Sequence, residues 1–203
     1  MCGSRRCGKS RGLLLFPTTT IVCLVCLTEN ASTAEIAVIG NEGMVGTWLT
    51  MVEDSTLSQD FVCSAGRGLR LSTSMLLEEF NRSVAVMHLV LRHTQALFTH
   101  IAQMAVCNRH HTFEERLCQW PMLRLDRLES SHIMVMQELI ASMLGVRREG
   151  VTQAAGHLQK AGLVTCHRAH IAVLDREGLK ARSCGCYRVV KNEYDRLLPV
   201  QIA

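Results

Sequence analysis

The sequence predicts an α+β fold: a partial antiparallel β-roll, a long dimerisation helix, and a C-terminal winged helix-turn-helix. Three observations predict it. Short apolar runs divided by turn residues fill Phe16 to Leu71. A helical pattern without proline follows Phe80. Two short helical patterns then meet at one glycine, Gly145, ahead of two more short strands. Composition bounds the function. The 203 residues are 48% hydrophobic and 20% charged, which supports a sizeable core and excludes a disordered chain. At 4% aromatic content the chain lacks the stacking platforms of a single-strand or RNA binder. A net charge of +4 admits an anionic partner without requiring one, so the placement of that charge decides.

The N-terminal region, 1–15, is left unassigned. Arg5, Arg6, Lys9 and Arg11 precede the apolar Leu13–Phe16, an order that resembles a signal peptide. Pro17-Thr18-Thr19-Thr20 divides that apolar stretch from Ile21–Leu27, and neither half reaches the ~20 residues of a membrane span. The roll is assigned to 16–79. Its expected strands are Ile21–Leu27, Glu35–Ile39, Phe61–Cys63 and Leu69–Leu71, with turns at Gly40–Gly43 and around Gly66 and Gly68.

Helical periodicity takes over after Leu71, with Ser74 as the expected cap of a helix through Glu78. The dimerisation helix is assigned to 80–109. Val84, Met87, Leu91, Thr94, Phe98, Ile101 and Ala105 recur at spacings of 3, 4, 3, 4, 3 and 4, with Thr94 the one polar member. That is a heptad seam. Such a stripe serves either one amphipathic helix on its own domain or a pair of helices, and the DNA-reading motif downstream favours the pair. Thr112 and Glu115 then form a capping box for a new helix through Leu123. Pro121 inside it predicts a kink or break near Trp120, because an interior proline removes a hydrogen bond.

The final region, 110–203, carries the chemistry. From Met136 to Leu158 the pattern is two short helices around Gly145. Leu139, Ile140, Met143 and Leu144 give the first an apolar face, and small Ala141 lets the second approach. Gly145 can take the positive φ of a sharp turn, and Val146 follows as the residue that fixes the interhelical angle. Val151, Ala154, Ala155 and Leu158 face inward on the second helix, spanning about Arg147–Lys160. Its outward face begins with Arg147, Arg148, Glu149, Thr152 and Gln153, residue types that read base edges from the start of a recognition helix. His157 and Arg168 are placed to touch the DNA backbone.

Gly162 is a suitable stop for this helix. Leu163–Cys166 and Ile171–Leu174, joined by His167–His170, read as a β-wing. Between Gly145 and His170, Arg147, Arg148, Lys160 and Arg168 face Glu149 alone, a local excess of three positive charges. The basic excess therefore concentrates on the proposed DNA surface. Asp175 is expected to cap one last helix running through Tyr187, Val190 and Tyr194 to Leu198.

Taken together, these residues resemble the Crp/Fnr family of transcription regulators from Phe16 onward. Phe16-Pro17-Thr18-Thr19, the run from Ala34 to Gly46, and Cys107-Asn108-Arg109-His110-His111 are similar to one subgroup. The resemblance implies a β-roll sensor like a cyclic-nucleotide-binding domain, a homodimer, double-stranded DNA as partner, a bacterial cytoplasm, and RNA polymerase as a further contact. It assigns base reading to Arg148 and Glu149, a groove-facing place to Gln153, and a phosphate contact to Gln137. This chain departs from the family at five places, one of them Pro121, which interrupts a helix that is continuous in relatives. About the first half of the roll has no counterpart, and Ser58-Gln59-Asp60-Phe61 lacks the arginine that would hold a cyclic phosphate. Val135 stands where a threonine usually caps the first helix, and Ala169 where the wing usually turns on glycine. An alternative follows from these departures: a truncated member acting as a ligand or redox sensor with weak DNA binding.

The ten cysteines are read as small buried hydrophobes in a reducing compartment, against a rival reading as a secreted, disulfide-bonded binding protein. Cys23 and Cys26 lie in a strand whose side chains alternate, and Cys184 and Cys186 on different faces of a helix. Adjacent His110 and His111 do not share a face. No metal and no cofactor is expected. No nucleophile elbow, phosphate loop or paired carboxylate marks an enzyme.

Overall fold

The computed structural model describes residues 12–27, 29, 33–51, 58–128, 132–167 and 170–199. Five strands build the N-terminal part: β1 (Leu13–Pro17), β2 (Ile21–Leu27), β3 (Thr33–Ile39), β4 (Ser58–Ser64) and β5 (Gly68–Ser72). They form two antiparallel sheets, ordered β1-β5 and β3-β2-β4. β1 starts three residues before the boundary placed at Phe16, so Leu13–Leu15 belong to the roll. Leu14 is fully buried, and Leu14 pairs with Leu71. β2 reads as an unbroken apolar run because both its faces are covered. Val22 and Leu24 pack with Leu97 of the long helix, whereas Ile21, Cys23 and Val25 join the core of the C-terminal part.

Two helices follow. α1 (Thr73–Arg82) is capped by Ser72, whose hydroxyl accepts from the Met75 amide at 3.3 Å. Ser74, the expected cap, lies inside the first turn. The strand runs directly into the helix, so the residue at the turn itself has the extended backbone a cap requires. Ser83 breaks the chain and caps α2 (Val84–His110), 27 residues and about 40 Å long. His93 and His100 face the core from this helix, and burial pushes the pKa of each down, His100 the further.

α3 (Phe113–Leu125) opens on the Thr112–Glu115 capping box, with both reciprocal bonds present. The expected break at Pro121 does not occur: the helix continues through it to Leu125. Leu117 to Leu125 are all buried, and this two-sided packing holds the proline in the helix. A short strand that the sequence did not reveal, β6 (His132–Met134), comes next. α4 (Gln137–Leu144), α5 (Arg148–Lys160), β7 (Val164–His167) and β8 (His170–Val173) then form a helix-turn-helix with a hairpin. β6 pairs with the free side of β8 and widens the hairpin to three strands. The single last helix is instead two. α6 (Arg176–Arg182), capped by Asp175 through the Gly178 amide, ends at extended Ser183, and α7 (Cys186–Leu197) begins beyond Gly185. Among the described residues no helix is long and apolar enough to cross a membrane.

Candidate nucleic-acid interface

The turn between α4 and α5 rests on Gly145, whose φ of +65° lies where an L side chain is strained. Its amide donates to Ser142 and the Val146 amide to Ala141 at 2.9 Å, the paired bonds that close a helix end. α5 ends the same way: Gly162 has φ +72°, its amide donates to Gln159, and the Leu163 amide donates to Leu158. Val151, Ala154, Ala155 and Leu158 are buried, as the pattern predicts. The start of α4 has no side-chain cap, and its cap position is Met136.

α5 therefore turns its apolar stripe inward and leaves Arg147, Arg148, Glu149, Thr152 and Gln153 exposed. Arg147 is the cap residue and the other four lie within the first two turns. Gln137, at the first position of α4, is tied to this face: the Thr152 hydroxyl donates to its Oε1 at 2.9 Å. A groove of about 320 Å³ runs between the two helices and the hairpin, lined by Gln137, Glu138, Arg148, His167 and His170 among others. His157 is also exposed, with Nδ1 3.9 Å from the Glu114 carboxylate. Arg168 and Ala169 lie outside the described residues.

Several polar contacts, absent from the sequence reading, set this unit in place. Arg116 on α3 donates to the Leu144 carbonyl at 3.2 Å and to Asn108 at 2.9 Å, joining the ends of α4 and α2. Asp126 accepts from the Tyr187 hydroxyl at 3.1 Å and pairs with Arg176. Two arginines near the end of α3 reach the roll. Arg124 pairs with Glu35 of β3, the two side chains being 1% and 2% exposed, and stacks 3.4 Å over the Trp120 ring. Burial pushes the Glu35 carboxyl up, and the Arg124 guanidinium pulls it back. Arg127 meets Glu42 at 2.5 Å. A trace of this is visible in Leu123-Arg124-Leu125-Asp126-Arg127, where arginines interrupt an apolar face at helical spacing. Nothing local names their partners.

The cysteines depart most from expectation. Cys23 and Cys63, read as free core thiols, form a disulfide between neighbouring strands β2 and β4, with Cα atoms 6.2 Å apart. The pairing register brings them together across 40 residues of sequence, which spacing alone cannot reveal. Cys184 lies not in a helix but in the linker before α7, and Cys186 is the first residue of that helix. Both turn toward Cys107 and His111 at the end of α2.

The fold and the exposed face of α5 define a winged helix-turn-helix protein with an N-terminal β-roll. Residues 115–182 match the Crp-like helix-turn-helix domain, and the chain as a whole has the fold of the Crp/Fnr-family transcription regulators. It is similar to TTHB099, a CRP-family transcriptional regulator from Thermus thermophilus, at 14% identity and TM-score 0.72, covering 90% of this chain and 95% of that one. FixK2 from Bradyrhizobium japonicum is 17% identical with TM-score 0.70, covering 85% and 88%. TTHA1359, a CRP/FNR-family regulator also from Thermus thermophilus, is 15% identical with TM-score 0.64, covering 90% and 93%. A comparison with curated protein sequences gives no match.

Proposed function

We propose that this protein is a sequence-specific, DNA-binding transcription regulator of the cytoplasm that acts as a homodimer and catalyses no reaction. One observation carries the reading: on α5 the polar, basic-led face is exposed, while the apolar stripe is buried against the rest of a Crp-like domain. An exposed second helix beside a hairpin is the part that enters the major groove in this class of module. Arg148 donates twice to guanine, Glu149 accepts from cytosine, and Arg147, Thr152 and Gln153 complete the edge contacts. Gln137, His157 and Arg168 hold phosphate and set the register without specifying sequence. The seam on α2 supports the dimer. Val84, Leu91 and Phe98 are 64%, 51% and 72% exposed in the single chain, a row of large apolar side chains along one helix.

Selection of bound sequences from a random duplex pool tests this reading, and a two-fold site should emerge. Against that site Arg148→Ala should lose about 1–3 kcal/mol and relax discrimination at one base position. Uniform weakening across every single-base variant of the site would instead make Arg148 a phosphate contact.

A further inference from the structure

Four metal-ligating side chains meet where the long helix hands over to the C-terminal part. Cys107 lies in the last turn of α2, and His111, four residues on, ends that helix with its amide donating to the Cys107 carbonyl at 3.1 Å. That spacing sets the thiol and the imidazole on one side. Cys184 and Cys186 come from the break between α6 and α7, with Gly185 between them. Sγ of the three cysteines and a ring nitrogen of His111 all lie within 4.8 Å of one another.

Three features separate this cluster from ordinary core packing. First, among the described residues Cys107, Cys184 and Cys186 form a buried cluster of their own, so the sulfurs pack on one another. Second, the spacing is within about half an ångström of that of a tetrahedral metal site. Ligand bonds of about 2.3 Å to sulfur and about 2.0 Å to nitrogen give tetrahedral edges of roughly 3.8 Å between sulfurs and roughly 3.6 Å between sulfur and nitrogen. The sulfurs of Cys107 and Cys184 are 3.3 Å apart, and Cys186 Sγ is 3.6 Å from His111 Nδ1. Third, a buried amide waits beside the cluster. Gln119, 2% exposed, accepts from Cys107 at 3.0 Å and from Cys184 at 3.1 Å. Turned over, the same amide would donate to thiolates, the outer contact that orients metal ligands.

We propose that Cys107, His111, Cys184 and Cys186 form a closed, tetrahedral site for a zinc-class divalent cation. The four donors leave no open position, so the site is structural. Binding releases the thiol protons, and the site then carries three thiolates, one neutral imidazole and one divalent cation. It joins the end of α2 to the α6–α7 break and to α7, and so holds the DNA-binding part at one angle to the dimerisation helix. The site stands on the geometry of the four side chains and does not depend on which bases α5 reads.

The test uses the full chain without a histidine tag, purified with zinc under reducing conditions. Elemental mass spectrometry should find about one zinc per chain. Replacement by Co²⁺ should give thiolate charge-transfer absorption and the strong visible bands of tetrahedral cobalt. Cys184→Ser combined with Cys186→Ser should drop the metal to background, whereas His111→Cys, which keeps four ligands, should retain it. Wild-type protein with background zinc and an octahedral cobalt spectrum overturns the proposal. So does zinc that survives the double serine variant, or a Cys107–Cys184 disulfide in protein that takes up no metal.

Discussion

Asp60 illustrates how one residue responds to its place in the sheet. It sits on β4 opposite Leu24, and burial alone lifts its carboxyl pKa from 3.8 to about 6. One of its oxygens has no hydrogen-bond partner. A carboxyl held above its ordinary value binds its proton more tightly when folded. Its contribution is therefore complete below pH 3.8 and is lost as pH rises through about 6. Asp60→Asn should stabilise the protein by about 3 kcal/mol at pH 8 and by little at pH 4. Urea unfolding at both pH values measures this, and an equal gain at both would assign the effect to packing and not to charge.

At the scale of elements, the pairing of β2 with β4 and the proposed pairing of α2 with a second copy each give a prediction. The Cys23–Cys63 disulfide closes a loop with a sequence separation of 40, and a cross-link of that length stabilises by about 4 kcal/mol through the unfolded chain. Reductant should lower the denaturant midpoint of the wild type and leave Cys23→Ala, Cys63→Ala unmoved. Superimposable wild-type curves with and without reductant would mean that the two thiols stay apart in solution. For α2, glutamates in place of Leu91 and Phe98 should yield monomers with much weaker operator binding, because charge on a closed seam has no partner. A wild type that sediments as a monomer at micromolar concentration defeats the dimer. The capping box and the turn glycine were legible in the sequence, because each is a signal within a few residues. The cap at Ser72, the continuity of α3 through Pro121 and the division of α6 from α7 were not. Each depends on what packs against the helix from elsewhere.

In the whole molecule the roll packs against α2. A groove of about 250 Å³ lies between the Asn41–Met44 turn and α2, lined chiefly by apolar side chains such as Phe16, Met44, Leu76 and Val90. Among the described residues its only carboxylate is Glu42, which is committed to Arg127, and its histidine, His93, is held toward the neutral form by burial. No described lysine or arginine lines it, and a buried cyclic phosphate whose charge meets no cation is costly. Titration calorimetry should show no binding of cyclic AMP or cyclic GMP. Saturable binding at micromolar concentration that also tightens DNA binding would overturn this. The roll is nonetheless wired to the helix-turn-helix part through the buried pair Glu35–Arg124 and the largely buried pair Glu42–Arg127. Such pairs are strongly destabilising to break singly, which makes them the places where a change in the roll would be felt by α3.

The sequence by itself determined the order of parts and the polar, basic-led character of the exposed face of α5. Periodicity, turn glycines and the charge excess from Gly145 to His170 are all local, and local signals survive without a structure. The tertiary structure decided which distant residues meet. Cys23 finds Cys63 only through strand register, Arg124 finds Glu35 across 89 positions, and Cys107 finds Cys184 across 77. Buried charges and thiols owe their chemistry to such partners, because in a low-dielectric interior a group's protonation and bonding follow from its neighbours in space and not from its neighbours along the chain.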